Sequence, residues 1–234
     1  MALDGVMLGA LAGLIALAAA ALCLRQGRRA AAWRAGLLAE CAALLEAPRL
    51  GRDRAGFATL EGTCAGLPVS VRLIPEALVH RRLPQLWLSV TLRVPRAGNA
   101  TLDVLRRPAG AEFYAPADLP LRLEPPAGWP ADTLVRGTPG AAALLRALQD
   151  ETARILGDPR VKEVLATPRI LRLVIQAGEG GRGAYLLLRA SRFALERVDP
   201  ARLDGALRDG LRLARRLSPP APETAEESPH ARAA

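Results

Sequence analysis

Six residues near the C-terminal third, Gly178-Glu179-Gly180-Gly181-Arg182-Gly183, spell GxGxxG directly after a run with strand character. In that setting the pattern can place backbone N–H groups against a dinucleotide pyrophosphate, provided a helix N-terminus follows and a later strand carries an acid for the ribose. Here the next residues, AYLLLRA, read as a strand. A helix follows with no further strand to complete the unit, and Glu179 would repel phosphate. The segment is therefore expected to be a hairpin turn.

The other chemistry-bearing residues are scattered. His80 stands beside Arg81 and Arg82, and His230 lies in the tail. A general base needs an orienting partner and a nucleophile within reach, and the sequence assembles neither. Cys64 would need cationic neighbours or a helix N-terminus to become a thiolate. Cys23, Cys41 and Cys64 form no CxxC pair and have no adjacent His, which excludes a disulfide framework and a zinc site. Glu112, Asp118, Glu124 and Asp132 lack calcium-loop spacing and are expected to be solvated. Arg208, Arg212 and Arg215 share a helix face, with Asp204 and Asp209 available to pair with them. No catalytic residue, cofactor or metal is predicted.

Charge and composition narrow the partner classes. The net charge is +9, with 32 basic against 23 acidic residues, and Lys162 is the only lysine. Arginine and alanine bias of this kind accompanies GC-rich coding, so it is weak evidence for a polyanion partner. With 3 % aromatic residues the chain offers few platforms on which bases stack, and no nucleic-acid partner is expected.

The strongest feature is positional. Gly5 to Leu24 run uncharged between Asp4 and Arg25; twenty helical residues reach about 30 Å, the hydrocarbon thickness of a bilayer. A cleaved signal peptide would carry basic residues before the apolar run, whereas here Arg25, Arg28, Arg29 and Arg34 follow it. Leu22 occupies the place where lipidation of Cys23 would want a small residue. An uncleaved single-pass anchor is predicted, with the four arginines at the inner headgroups and the C-terminal domain facing the cytoplasm of a bacterial-type membrane. Gly5, Gly9 and Gly13 fall on one stripe of this helix, a spacing that lets a second helix approach.

Behind the anchor the pattern is that of an α+β fold: a single N-terminal transmembrane helix, then an antiparallel sheet with helices packed on one face. The expected organisation is an anchor with basic flank over residues 1–29, an amphipathic connecting helix over 30–49, a globular domain over 50–217 and a disordered tail over 218–234. In the connecting helix Trp33, Leu37, Cys41, Leu44 and Leu45 recur at helical spacing and Pro48 is the expected stop. Strands are predicted at 57–60 and 67–74 around the turn Glu61 to Gly66, at Leu86 to Val94, Thr101 to Leu105, Leu121 to Leu123, Ile170 to Gln176 and Ala184 to Ala190. In the strand from Leu86 the alternation predicts one buried and one wetter face. Helices are predicted from a Thr138 cap to Leu156 and from an Asp199 cap to Leu217.

Between Pro108 and Thr133 six prolines accompany Phe113, Tyr114 and Trp129, three of the chain's few aromatics. Long loops in compact domains tend to carry function, so these three residues are the candidate binding loop. The leading functional expectation is a non-enzymatic binding or scaffold module on the membrane, with a protein partner or its own copy. A carrier holding an apolar or amphiphilic ligand between sheet and helices, lined from Leu86 to Val94, is the alternative. A hydrolase-type enzyme around His80 or Cys64 is the third.

Overall fold

The computed structural model describes residues 2–76, 83–108, 112, 114–181 and 193–217. The predicted strand at 184–190, the tail from 218, His80, His230 and Phe113 lie outside them.

Helix α1 spans Ala2–Gly36 without interruption. Its residues 10–30 are all exposed, whereas Leu37, Leu38 and Cys41 beyond its end are fully buried. Helix α1 thus leads straight into the domain's core. The predicted helix over 30–49 is corrected here. It ends at Gly36, a short 3-10 helix follows at Glu40–Leu44, and strand β1 begins at Glu46. The reason lies in burial on more than one stripe: Leu37 and Leu38 must both point inward, which a straight surface helix cannot arrange. The chain tightens, with Ala39 N–H donating to Gly36 O at 3.1 Å and Cys41 N–H to Leu38 O at 3.1 Å. Ala47, at φ 46°, then kinks it into the strand. Pro48 is tolerated there because β1 is an edge strand.

Nine strands among the described residues form one antiparallel sheet in the order β1-β2-β3-β4-β9-β8-β5-β7-β6. They are β1 Glu46–Arg52, β2 Ala58–Cys64, β3 Leu67–Glu76, β4 Gln85–Arg93, β5 Leu102–Arg106, β6 Leu121–Leu123, β7 Thr133–Gly137, β8 Val161–Ala166 and β9 Ile170–Glu179. The hairpin between β2 and β3 turns at Ala65 and Gly66, with φ of 50° and 77°, the left-handed pair that a two-residue hairpin loop requires.

Helices α2 (Ala141–Leu156) and α3 (Pro200–Leu217) pack on each other and on one face of the sheet, α2 over β5, β7 and β8, α3 over β4 and β9. Leu86, Leu88, Val90 and Leu92 are fully buried on that side. A Cβ at Gly210 of α3 would lie 2.6 Å from Leu92 Cδ1, so α3 meets β4 in close contact at this point. The Asp199 cap forms as predicted, accepting from Ala201 N–H at 2.9 Å. Thr138 does not cap α2. The N-cap is Gly140 at φ 91°, and Thr138 Oγ1 instead accepts from Thr101 N–H at 2.8 Å.

The opposite face of the sheet is not the wet surface that alternation predicts. Trp87 and Ser89 of β4 are 6 % and 5 % exposed. Asp103, Leu105, Glu163, Leu165 and Val174 are buried beside them. Part of the Pro-rich segment lies over this face.

Candidate functional site

Strand pairing gathers the charges of this outer face. Asp103 sits opposite Leu165 and Arg136, and Leu165 opposite Arg172. Glu163 sits opposite Leu105 and Val174. Within this lattice Arg136 Nη2 donates to Asp103 Oδ2 at 2.7 Å. Arg172 grips Glu163 through two bonds, of 2.7 and 2.9 Å. Both carboxylate side chains are fully buried, a placement that charged groups take only when paired.

A register shift between Val161 and Glu163 turns Lys162 inward as well. Its ammonium donates to Arg106 O at 3.0 Å, Arg107 O at 2.7 Å and Glu112 Oε1 at 2.9 Å. Arg172 Nη2 also donates to Tyr114 O at 2.7 Å. These two cations pin the Pro-rich segment to the sheet. A fourth pair, Arg106 with Asp132 at 2.8 Å, lies at the edge, where Arg106 Nη1 also donates to Leu156 O at the end of α2.

Burial sets the titration of these groups. It pushes the Glu163 carboxyl up to about 7, against the opposing pull of Arg172. Asp103 is shifted the same way by burial and restrained by Arg136, and its Oδ1 has no hydrogen-bond partner. The Tyr114 phenol is raised by burial. Three acids, Asp103, Glu112 and Glu163, thus face three cations, Arg136, Lys162 and Arg172, on this face. The cluster's evident task is to clamp the start of the Pro-rich segment, ahead of β6, over the outer face.

The second constellation is where α1 joins the domain. Trp33 Nε1 donates to Leu195 O at 2.6 Å. Its ring stacks on Phe193 at a centroid separation of 6.5 Å and meets the edge of Phe57 at 6.2 Å. Arg34 lies with its guanidinium 5.9 Å from the Phe57 ring centre, within cation–π range. Val198 N–H closes the junction by donating to Leu37 O at 2.9 Å.

No family model matches this sequence, and no curated protein matches it. Among solved structures, the crystal structure of the mycobacterial trehalose monomycolate transport factor A, TtfA, is similar at 14 % identity and a TM-score of 0.38, covering 70 % of this chain and 75 % of that one. A likeness of that depth assigns neither ligand nor activity.

The residues singled out in the sequence are thus dispersed. Gly5, Gly9 and Gly13 all lie in α1, and Gly13 has open space around it. The same helix holds an apolar window of mean hydropathy 1.7, long enough to cross a membrane and not buried at all. Arg25, Arg28 and Arg29 are exposed on its next turns. Arg34, grouped with them by sequence, folds onto Phe57. Tyr114 belongs to the outer face through Arg172, while Trp129 packs against the helix-side core. Glu112, expected in solvent, has a side chain only 5 % exposed and is paired with Lys162; Asp132 is half-exposed against Arg106.

Gly178 and Glu179 belong to β9, paired with Leu86 and Gln85, and Gly180 N–H donates to Pro84 O at 2.7 Å. The start of the glycine motif is sheet and cradles no phosphate. Burial pushes the Cys41 thiol up to about 11 and raises Cys64 as well, away from nucleophilic thiolate. Among the described residues no three His, Cys, Asp or Glu side chains gather as a metal site. Sequence reasoning missed Asp103, Arg136, Glu163 and Arg172. The one available signal was Lys162, a single lysine in an arginine-rich chain, set with Glu163 between Val161 and Val164.

Proposed function

We propose that this protein is a membrane-anchored binding module whose domain is held at the cytoplasmic face on a short helical stalk. One observation carries the reading. A single helix is bare along its apolar length, yet its C-terminal end continues into the buried residues Leu37, Leu38 and Cys41. An exposed run of Met7, Leu11, Leu14, Ile15, Leu17, Leu22 and Leu24 has no soluble rationale. Lipid supplies one.

The arginines that follow the span argue for the cytoplasmic side, because basic flanks are retained there. The Pro-rich segment that covers the outer face of the sheet, with Tyr114 in it, is the surface offered to a protein partner. Association of two copies through the Gly5, Gly9, Gly13 stripe belongs to the same reading. Extraction at alkaline pH from membranes and protease treatment of intact spheroplasts test it together. The protein is expected in the pellet and protected. Release into the soluble fraction, or cleavage of the domain from outside, overturns the anchor or its orientation respectively.

A further inference from the structure

We propose that the turn between β1 and β2 is a membrane foot, whose arginines bind anionic lipid headgroups together with those of the stalk; this rests on the anchor reading. The chain path gives the turn its place. Beyond Arg34 the chain runs deeper into the domain through Leu37, Leu38 and Cys41 to Leu45. At the deep end a Cβ on Gly62 would lie 2.9 Å from Leu45 Cβ, and Glu46 pairs with Thr63. From there β1 runs back, and its last residue, Arg52, pairs with Ala58. The turn that follows comes level with the stalk: a Cβ on Gly56 would lie 3.5 Å from Arg34 Nε. The hairpin therefore points its tip at the same side from which α1 enters.

Distance and charge then agree. Arg34 lies ten residues beyond Leu24, about 15 Å along the helix axis. Headgroups occupy roughly 5–8 Å of that beyond the hydrocarbon edge, and a tilted helix shortens the remainder. Arg52 and Arg54 are both exposed and neither forms an ion pair among the described residues. The intervening Asp53 is engaged in the turn, its Oδ1 accepting from Phe57 N–H at 2.8 Å and its carbonyl from Gly56 N–H at 3.0 Å. Arg25, Arg28 and Arg29 are likewise exposed and form no ion pair among the described residues. Five exposed cations thus lie toward the end of the domain from which α1 leaves, with Asp53, engaged in the turn, between two of them. Each is drawn to an anionic surface.

The test uses the full chain in vesicles of phosphatidylcholine, with or without phosphatidylglycerol. An environment-sensitive fluorophore is placed through Ala55→Cys in a Cys23→Ser, Cys64→Ser background, and a quencher is carried on the headgroups. Quenching is expected with phosphatidylglycerol, to weaken at about 0.5 M salt, where the screening length falls to roughly 4 Å, and to drop at least about fivefold in Arg52→Glu, Arg54→Glu. Flotation with both kinds of vesicle is expected for every variant. Equal quenching in the two kinds of vesicle, or quenching unchanged by the double substitution, overturns the foot and leaves the anchor standing. Failure to float overturns both.

Discussion

Glu163 makes the pH dependence of this domain run opposite to that of an ordinary salt-bridged protein. Its carboxyl is fully buried, and burial carries it from 4.5 to about 7 in the folded state. The folded protein then holds a proton between those values that the unfolded chain has released. Stability is fully present below about pH 4.5 and is lost as pH rises toward 7. At 1.36 kcal/mol per unit the shift corresponds to about 3 kcal/mol, or roughly 6–12 °C in Tm for a domain of this size. Asp103, also raised by burial, adds in the same direction. Glu151 and Asp158, held down by Arg154 and Arg160, act with opposite sign and only below their ordinary values. Thermal unfolding of the full chain in nonionic detergent, followed from pH 5 to 8, is the assay. The native chain should lose Tm across that range, and Glu163→Gln, which keeps an acceptor for Arg172 without the proton, should be markedly flatter. A native profile that rises with pH, or a Glu163→Gln profile as steep as the native one, refutes the reasoning.

Three further perturbations bear on other parts of the structure. Lys162→Met removes a buried ammonium from two carbonyls and Glu112 and should cost about 3–5 kcal/mol; limited proteolysis should then nick the Pro-rich segment first. Trp33→Ala deletes the stack on Phe193, the edge contact with Phe57 and the bond to Leu195 O. A loss of about 3 kcal/mol in denaturant unfolding is expected, with membrane retention unchanged. Gly137→Ala would put a Cβ 2.2 Å from Ala141 Cβ and 2.6 Å from Thr101 O, where β7 hands over to α2. At least about 2 kcal/mol should be lost by thermal unfolding, whereas the same change at exposed Gly66 costs less.

What was legible in the sequence follows from how each element is stabilised. β4 shows itself because its helix-facing residues Leu86, Leu88, Val90 and Leu92 alternate without a break. α3 shows itself through a cap and a clean stripe. β8 did not, because a strand with Lys162 and Glu163 at its centre has no apolar alternation. Only partners on β5, β9 and the Pro-rich segment, 9 to 56 residues away in the chain, make those charges burial-compatible. β7 was hidden for a simpler reason: five residues after a run of prolines carry too short a pattern. β1 was masked by Pro48, a helix stop by local rules, which an edge strand accommodates. The outer-face cluster was illegible for the same reason as β8, since register brings its members together and composition does not.

That cluster has a physical cause in the prolines themselves. Pro108, Pro116, Pro120, Pro125, Pro126 and Pro130 remove N–H groups that a longer strand would contribute to a ladder, and within this segment only Leu121–Leu123 join the sheet, as β6. Its carbonyls still need donors once they lie against a sheet. Side-chain cations meet part of that need: Arg172 bonds Tyr114 O within the segment, and Lys162 bonds Arg106 O and Arg107 O where β5 leads into it. Buried cations in turn require buried carboxylates, which Glu112 and Glu163 provide. An apolar outer face would be cheaper to bury but would leave Tyr114 O and the carbonyls at the end of β5 without these donors.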